Sequence, residues 1–256
     1  MILAIDIGNT NVTFGCLSEK GRISHIGRVR TDRRASVDEY AASLKNILEL
    51  NGAQLSQVRG SIITSVVPQL TATLAKAAEK ISDTVPIIVS PGIKTGLNLL
   101  VDNPAQVGSD RVVDAVAAYH YYKGPVAVID MGTATTVSVV DKNGSFLGGL
   151  IMPGVRSSLE ALSGNAAQLP HVSVENCKRF IGKNTVESMQ SGILNGHAAM
   201  VDGLAARLRR EMGEELKIIA TGGFSRLVLT QTKEDIIHDE NLILKGLYLL
   251  YCKNSK

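Results

Sequence analysis

The sequence predicts an α/β protein made of two like halves, each a sheet flanked by helices. Three observations predict it. A strand ending in Asp-x-Gly and small polar residues opens the chain as AIDIGNTNV (4–12) and returns as VIDMGTATTV (128–137), with Asp130 lying 124 residues after Asp6 and Gly132 the same distance after Gly8. Each copy runs on through two more strand-like segments joined by a glycine turn. Gly21 serves in the first copy and Gly144 in the second, one residue short of the common offset. After each copy, helix-period segments alternate with short apolar strands.

The elements follow in order. MILAID, NVTFGCLS and GRISHIGRVR read as three strands, with SEKG a turn. ASVDEYAASLKNILEL has helical spacing; Ser36 and Glu39 make a capping box at its start, and Asn51-Gly52 stops it. GSIITSVVP reads as a buried strand ended by Pro68, QLTATLAKAAEKI as a helix and PIIVS as a strand. A loop-rich stretch (91–110) leads to the helix RVVDAVAAYHYYK. PVAVID, TATTVSVVD and SFLGGLIMP then repeat the three strands. Helical material follows at about 154–163 and 184–212, then the strand KIIATGG, the short helix FSRLVLTQ and a closing amphipathic helix, ENLILKGLYLLYCK. The boundary falls near residue 117, giving domains 1–117 and 118–256, with the last helix expected to pack back on the first.

Composition narrows the function. With 45% hydrophobic and 20% charged residues in 256, a sizeable core can form. A net charge of +3, few aromatics and no Trp argue against nucleic acid. No apolar run approaches a membrane span. Three widely spaced cysteines, Cys16, Cys177 and Cys252, with no C-x-x-C, point to a reducing, cytoplasmic setting. Asp6 interrupts the opening apolar residues and no basic segment precedes them, so a signal peptide is not expected. Five scattered His residues show no H-x-x-x-H or H-E-x-x-H, and there is no G-x-x-x-x-G-K-[ST].

The repeated hairpin suits phosphate. Its glycine lets the backbone turn tightly and approach an oxygen. The N–H groups and hydroxyls that follow can donate to phosphate oxygens, and the strand-end aspartate can accept Mg²⁺ or its waters. A lone D-x-G is expected about once by chance in a chain this long; two copies, each opening a three-strand meander, carry the signal. The competing reading makes Asp6 and Asp130 caps of tight β-turns. Two such hairpins facing each other could grip a triphosphate. Between them, QVGSDR (106–111) sets Asp110 beside Arg111 just before a helix. A phosphoryl transfer to an alcohol uses a carboxylate to accept the hydroxyl proton, and an Arg fork binds a carboxylate bidentately. Alternatively Asp110 caps the helix and Arg111 is solvated.

The duplicated unit resembles the actin, sugar-kinase and heat-shock chaperone superfamily. DIGNTN, GSDR, DMGTATT, GGLIMPG and TGG, in this order over essentially the whole chain, resemble type III pantothenate kinase. The resemblance implies duplicated actin-like (ribonuclease H-like) domains, each with a mixed five-stranded sheet flanked by helices. It implies ATP-dependent phosphorylation of pantothenate, with Asp110 as base. ATP is expected at Asp6, Ile7, Gly8, Asn9, Thr10, Asn11, Val12 and Thr13, at Thr133, and at Gly222 and Gly223, where the adenosine should lie. Pantothenate is expected at Gly108, Ser109, Asp110, Arg111, Thr185 and Val101. Asp6 would hold Mg²⁺, directly or through water, and Asp130 a monovalent cation, K⁺ or NH₄⁺. A homodimer is implied, with no nucleic-acid or membrane partner.

Two departures stand out. Relatives often carry an aromatic three residues before Pro104, where this chain has Val101, and a small residue such as Ala where it has Ser109. Other readings are a kinase or phosphatase for another small hydroxy acid, or a non-catalytic nucleotide-binding regulator. Thr185 and the glycine pair also have plainer readings, as an N-cap and as a strand-to-helix turn. The basic run GRVRTDRR (27–34) reads most simply as a solvated hairpin edge, Met189 and Met200 as core or subunit interface, and GLYLLY as packing.

Overall fold

β1 (Ile2–Ile7) is apolar on both faces, as a strand inside a sheet covered on two sides must be. It pairs antiparallel with β2 (Asn11–Leu17), which pairs with β3 (Ile23–Arg30), and parallel with β4 (Gly60–Ser65), which pairs with β5 (Ile87–Ile88). The computed structural model describes residues 1–165, 169–177 and 179–255. Leu3, Ile5 and Ile7 face α1 (Val37–Leu50) and α2 (Pro68–Ser82), meeting Tyr40, Leu44, Leu48, Leu70 and Leu74. The capping box at the start of α1 is present, with Ser36 Oγ accepting from Glu39 N–H and Glu39 accepting from Ser36 N–H.

The opposite face, with Ala4, Leu17 and Ile62, packs on Val113 and Val116 of α3 (Ser109–Tyr122) and on Leu244, Leu247 and Leu250 of α7 (Leu242–Asn254). Gly246 allows that contact, since a Cβ there would sit 2.2 Å from the Val113 carbonyl oxygen.

The second sheet has the order β11-β10-β7-β8-β9-β6. Its strands are β6 (Asn98–Leu99), β7 (Val126–Met131), β8 (Ala134–Val140), β9 (Ser145–Pro153), β10 (Lys217–Thr221) and β11 (Ile237–His238). The order β3-β2-β1-β4-β5 of the first sheet recurs as β9-β8-β7-β10-β11, with the same parallel and antiparallel pairings. The duplication is therefore structural. The expectation of five strands in each sheet is corrected, because β6 adds a sixth at the β9 edge. α4 (Val155–Asn165), α5 (Thr185–Met212) and α6 (Ser225–Leu229) build this core from Val155, Leu159, Met189, Leu194, Val201 and Val228 against Ile129, Met131, Val137 and Ile218.

Two units result, each discontinuous in sequence. One comprises Met1–Leu97, Asp102–Ala117 and Asn241–Lys256, the other Asn98–Val101 and Ala118–Glu240. Among the described residues no helix is long and apolar enough to cross a membrane.

Candidate active site

In each sheet an aspartate sits at the end of the central strand, and the register gives both the same neighbours. Asp6 pairs with Thr13 on β2 and Thr64 on β4; Asp130 pairs with Thr136 on β8 and Thr221 on β10. Thr64 and Thr221 are buried and the aspartates half-buried. A carboxylate flanked by threonines sets an anionic acceptor and two hydroxyls side by side at each strand end.

The hairpins differ by one residue. Gly8 N–H donates to the Asn11 carbonyl at 3.0 Å, whereas Gly132 N–H reaches the Ala134 carbonyl at 3.1 Å. The tighter second turn accounts for Gly144 arriving one residue early. The first hairpin is braced from outside. Thr31 Oγ1 donates to the Gly8 carbonyl at 2.6 Å, and Thr31 N–H donates to the Thr10 carbonyl at 3.0 Å. Ile7 and Val12 turn their side chains into the core, so only their backbone can serve a ligand. Asn9 is exposed, and Gly8, Thr10, Asn11 and Thr13 are half-buried.

The first unit brings GSDR to this same sheet end. Thr64 Oγ1 donates to Ser109 Oγ at 2.8 Å, and Ser109 Oγ donates on to the Ser65 carbonyl at 3.1 Å. This hydroxyl chain ties the start of α3 to the end of β4, beside β1. Ser109, a minor departure when read in the sequence, is thus a tether. Gly108 precedes the helix, and Asp110 lies inside its first turn rather than at the cap. The Asp110 carboxylate accepts from Arg111 N–H at 2.8 Å. Burial pushes the Asp110 carboxyl above the ordinary aspartate range, against the pull of that bond and of the Arg111 charge. Burial lowers the Arg111 guanidinium, with Asp110 opposing.

In the second unit Asp130 meets the glycine pair. Gly222 has φ +93° and lies so close that a Cβ would stand 2.3 Å from Asp130 Oδ1 and 2.6 Å from Met131 N. Both its conformation and the space demand glycine. The turn is locked by Phe224 N–H donating to the Met131 carbonyl (3.2 Å) and by Ser225 N–H and Oγ donating to the Gly222 carbonyl (3.1 and 2.6 Å). With the Ser225 proton so used, His238 Nε2, at 3.0 Å from Ser225 Oγ, is the donor of that pair. Thr133 is exposed on the hairpin, and its carbonyl accepts from Ser157 Oγ at 2.8 Å. Gly223 is exposed.

Two expected substrate residues belong to other elements of the second unit. Thr185 is the exposed first residue of α5, and its N-cap reading is corrected, since Asn184 Oδ1 accepts from Glu187 N–H at 2.9 Å. Val101 follows edge strand β6, with its Cγ1 3.7 Å from where a Gly148 Cβ would be.

Asp6 and Asp130 each offer one carboxylate. Among the described residues no group of three or more His, Cys, Asp or Glu side chains is arranged to hold a metal. With a single carboxylate at each position, a cation beside Asp6 or Asp130 would draw most of its oxygen ligands from elsewhere. A shallow depression lined by Ala41, Lys45, Glu49, Leu55 and Lys80 is solvated surface, carrying an exposed Lys45–Glu49 pair.

A family model described as type III pantothenate kinase matches residues 2–207. The chain belongs to that family. Type III pantothenate kinase is thus the frame in which Asp6, Asp110 and Asp130 stand, and the family is one of kinases.

Solved structures agree on the fold. A Campylobacter jejuni protein assigned to the Baf family of transcriptional activators is 19% identical, with TM-score 0.60 and 98% of each chain covered. The activator of 2-hydroxyisocaproyl-CoA dehydratase from Clostridium difficile, with bound ADPNP, is 14% identical, with TM-score 0.58, covering 98% of this chain and 93% of that one. Component A of the (R)-2-hydroxyglutaryl-CoA dehydratase of Acidaminococcus fermentans is 17% identical, with TM-score 0.57 and coverage of 98% and 96%. The fold is that of the actin-like ATPases and sugar kinases, two mixed sheets flanked by helices.

Proposed function

We propose that this type III pantothenate kinase family member transfers the γ-phosphoryl group of ATP to the primary alcohol of pantothenate, giving 4'-phosphopantothenate, the first step towards coenzyme A. The observation that carries the reading is the hydroxyl chain Thr64–Ser109–Ser65, which holds Asp110 at the sheet end that bears Asp6 and the first hairpin. Bound ADPNP in a protein of this fold supports a nucleotide ligand.

Asp110 accepts the hydroxyl proton as the alcohol oxygen bonds to phosphorus and the bond to the ADP oxygen breaks. A raised carboxyl is the better base at neutral pH. Arg111 takes the pantothenate carboxylate in its fork, with Gly108, Ser109, Thr185 and Val101 as further pantothenate contacts. N–H groups from Gly8 to Thr13 and the hydroxyls of Thr10 and Thr13 donate to phosphate oxygens. Thr133 also meets ATP, and Gly222 and Gly223 receive the adenosine. Asp6 would hold Mg²⁺ directly or through water, and Asp130 K⁺ or NH₄⁺; these ions supply charge neutralisation on the phosphates. Catalysis is then mainly positioning and electrostatics.

A homodimer fits the family expectation, and Leu147, Leu150 and Ile151 leave β9 with exposed apolar surface that a second copy could cover. Light scattering at assay concentration should give twice the chain mass, and a monomer would contradict it. Replacement of Asp110 by Ala should cut turnover by about 10²–10⁴-fold while ATP still binds; a variant retaining most of its turnover would remove Asp110 from the base role. ATP binding without phosphorylation of pantothenate or of any small hydroxy acid would favour a nucleotide-binding regulator instead.

A further inference from the structure

The basic run 27–34 reads from sequence as a solvated edge, but the register of β3 gives part of it a different place. Arg28 pairs with Thr13, and Thr13 pairs with Asp6, which pairs with Thr64. In-register neighbours share a face of the sheet. Thr64, Asp6, Thr13 and Arg28 therefore form one polar row across four strands, at the end where the first hairpin turns.

Arg28 is held in that row. Its Nε donates to Thr13 Oγ1 at 3.3 Å. The bond uses the inner nitrogen of the guanidinium and leaves most of its donors on the two terminal nitrogens. Among the described residues Arg28 makes no ion pair with a carboxylate. The strand end that carries it is fixed to the hairpin by the two hydrogen bonds of Thr31 to the carbonyls of Gly8 and Thr10. The hairpin itself, Gly8 to Thr13, contains no Lys or Arg. N–H groups and hydroxyls carry no full charge, so cations must offset the charge of a polyphosphate on this loop, and a neighbouring guanidinium adds one whose fork fits phosphate oxygens.

We propose that Arg28 is a phosphate-binding residue of the first hairpin, meeting the polyphosphate of the nucleotide with its terminal nitrogens. The proposal rests on the hairpin being the phosphate site. It predicts a charge-dependent contribution that grows with the number of phosphates and vanishes for the bare nucleoside.

The test is calorimetric binding of ATP, AMP and adenosine, with Mg²⁺ present, to the unaltered protein and to Arg28→Gln, Arg28→Lys and Arg22→Gln. Arg22 is exposed just before β3, next to the strand end opposite Arg30, and controls for the loss of one positive charge. Arg28→Gln should weaken ATP about tenfold and AMP less, with adenosine unchanged, and Arg28→Lys should recover part of the loss. Arg22→Gln should bind ATP as the unaltered protein does. ATP affinity within twofold of the unaltered value in Arg28→Gln would overturn the assignment. So would an equal loss for ATP and adenosine, which would mark a structural role, or an equal effect of Arg22→Gln, which would mark diffuse surface charge. Failure of the unaltered protein to bind ATP would overturn the hairpin reading itself, and the Arg28 proposal with it.

Discussion

At the scale of single residues, Asp110 carries the largest consequence. Its carboxyl is pushed up by burial, with the Arg111 N–H and charge pulling the other way. Two effects of pH follow with definite sign. As the proposed base, Asp110 must be ionised, so kcat/KM should rise with pH through its pKa, and this limb should lie above the ordinary aspartate value of 3.8. Because the folded chain holds this proton more tightly than the unfolded one, protonation at Asp110 favours folding. Its contribution is gained as pH falls, the reverse of an ion-paired carboxylate. A pH–rate profile with its acid limb at or below the ordinary aspartate value would contradict the burial argument. Asp110 and Arg111 were legible as a pair in the sequence. The Ser109 hydroxyl chain was not, because its partner Thr64 lies 45 residues away and a serine before Asp-Arg has no distinguishing pattern.

At the scale of elements, the two hairpins show what spacing can reveal. The D-x-G repeat predicted equivalent strand ends, and Asp6 and Asp130 occupy equivalent register positions. The three-strand meanders, the capping box and the long helices were readable because each has enough residues to establish a period. β6 and β11 have two residues each, too few for any alternation to show. Thr31 was hidden as well, since its role depends on where β3 ends relative to the hairpin. The turn at Gly222 supplies the prediction for this scale. Gly222→Ala would place a methyl 2.3 Å from Asp130 Oδ1 in a backbone conformation that side chains avoid. Turnover should fall at least tenfold and any stimulation by K⁺ or NH₄⁺ should disappear, whereas unchanged cation dependence would dissociate Asp130 from cation binding.

At the scale of the whole molecule, the chain returns to its beginning. α7 packs on β1, β2 and β4, so residues 241–256 complete the unit that residue 1 opens. Leu247 is fully buried there among Ala4, Leu17, Val113 and Leu250. Leu247→Ala should cost about 2–5 kcal/mol of stability, read as a lower denaturant midpoint. A loss below about 1 kcal/mol would mean that the closing helix is not part of that core. The four residues 98–101, which belong to the second unit although 102–117 belong to the first, carry no periodicity of their own. The sixth strand and the placement of Val101 therefore emerged only from the fold.

The central claim is that this scaffold moves a phosphoryl group from ATP to the primary alcohol of pantothenate. Phosphorus NMR of a reaction containing ATP, Mg²⁺, an ammonium salt and pantothenate tests it most directly. A new phosphate monoester should appear, growing in step with ADP and absent without pantothenate. ADP and inorganic phosphate formed at the same rate with or without pantothenate, and no monoester, would contradict it.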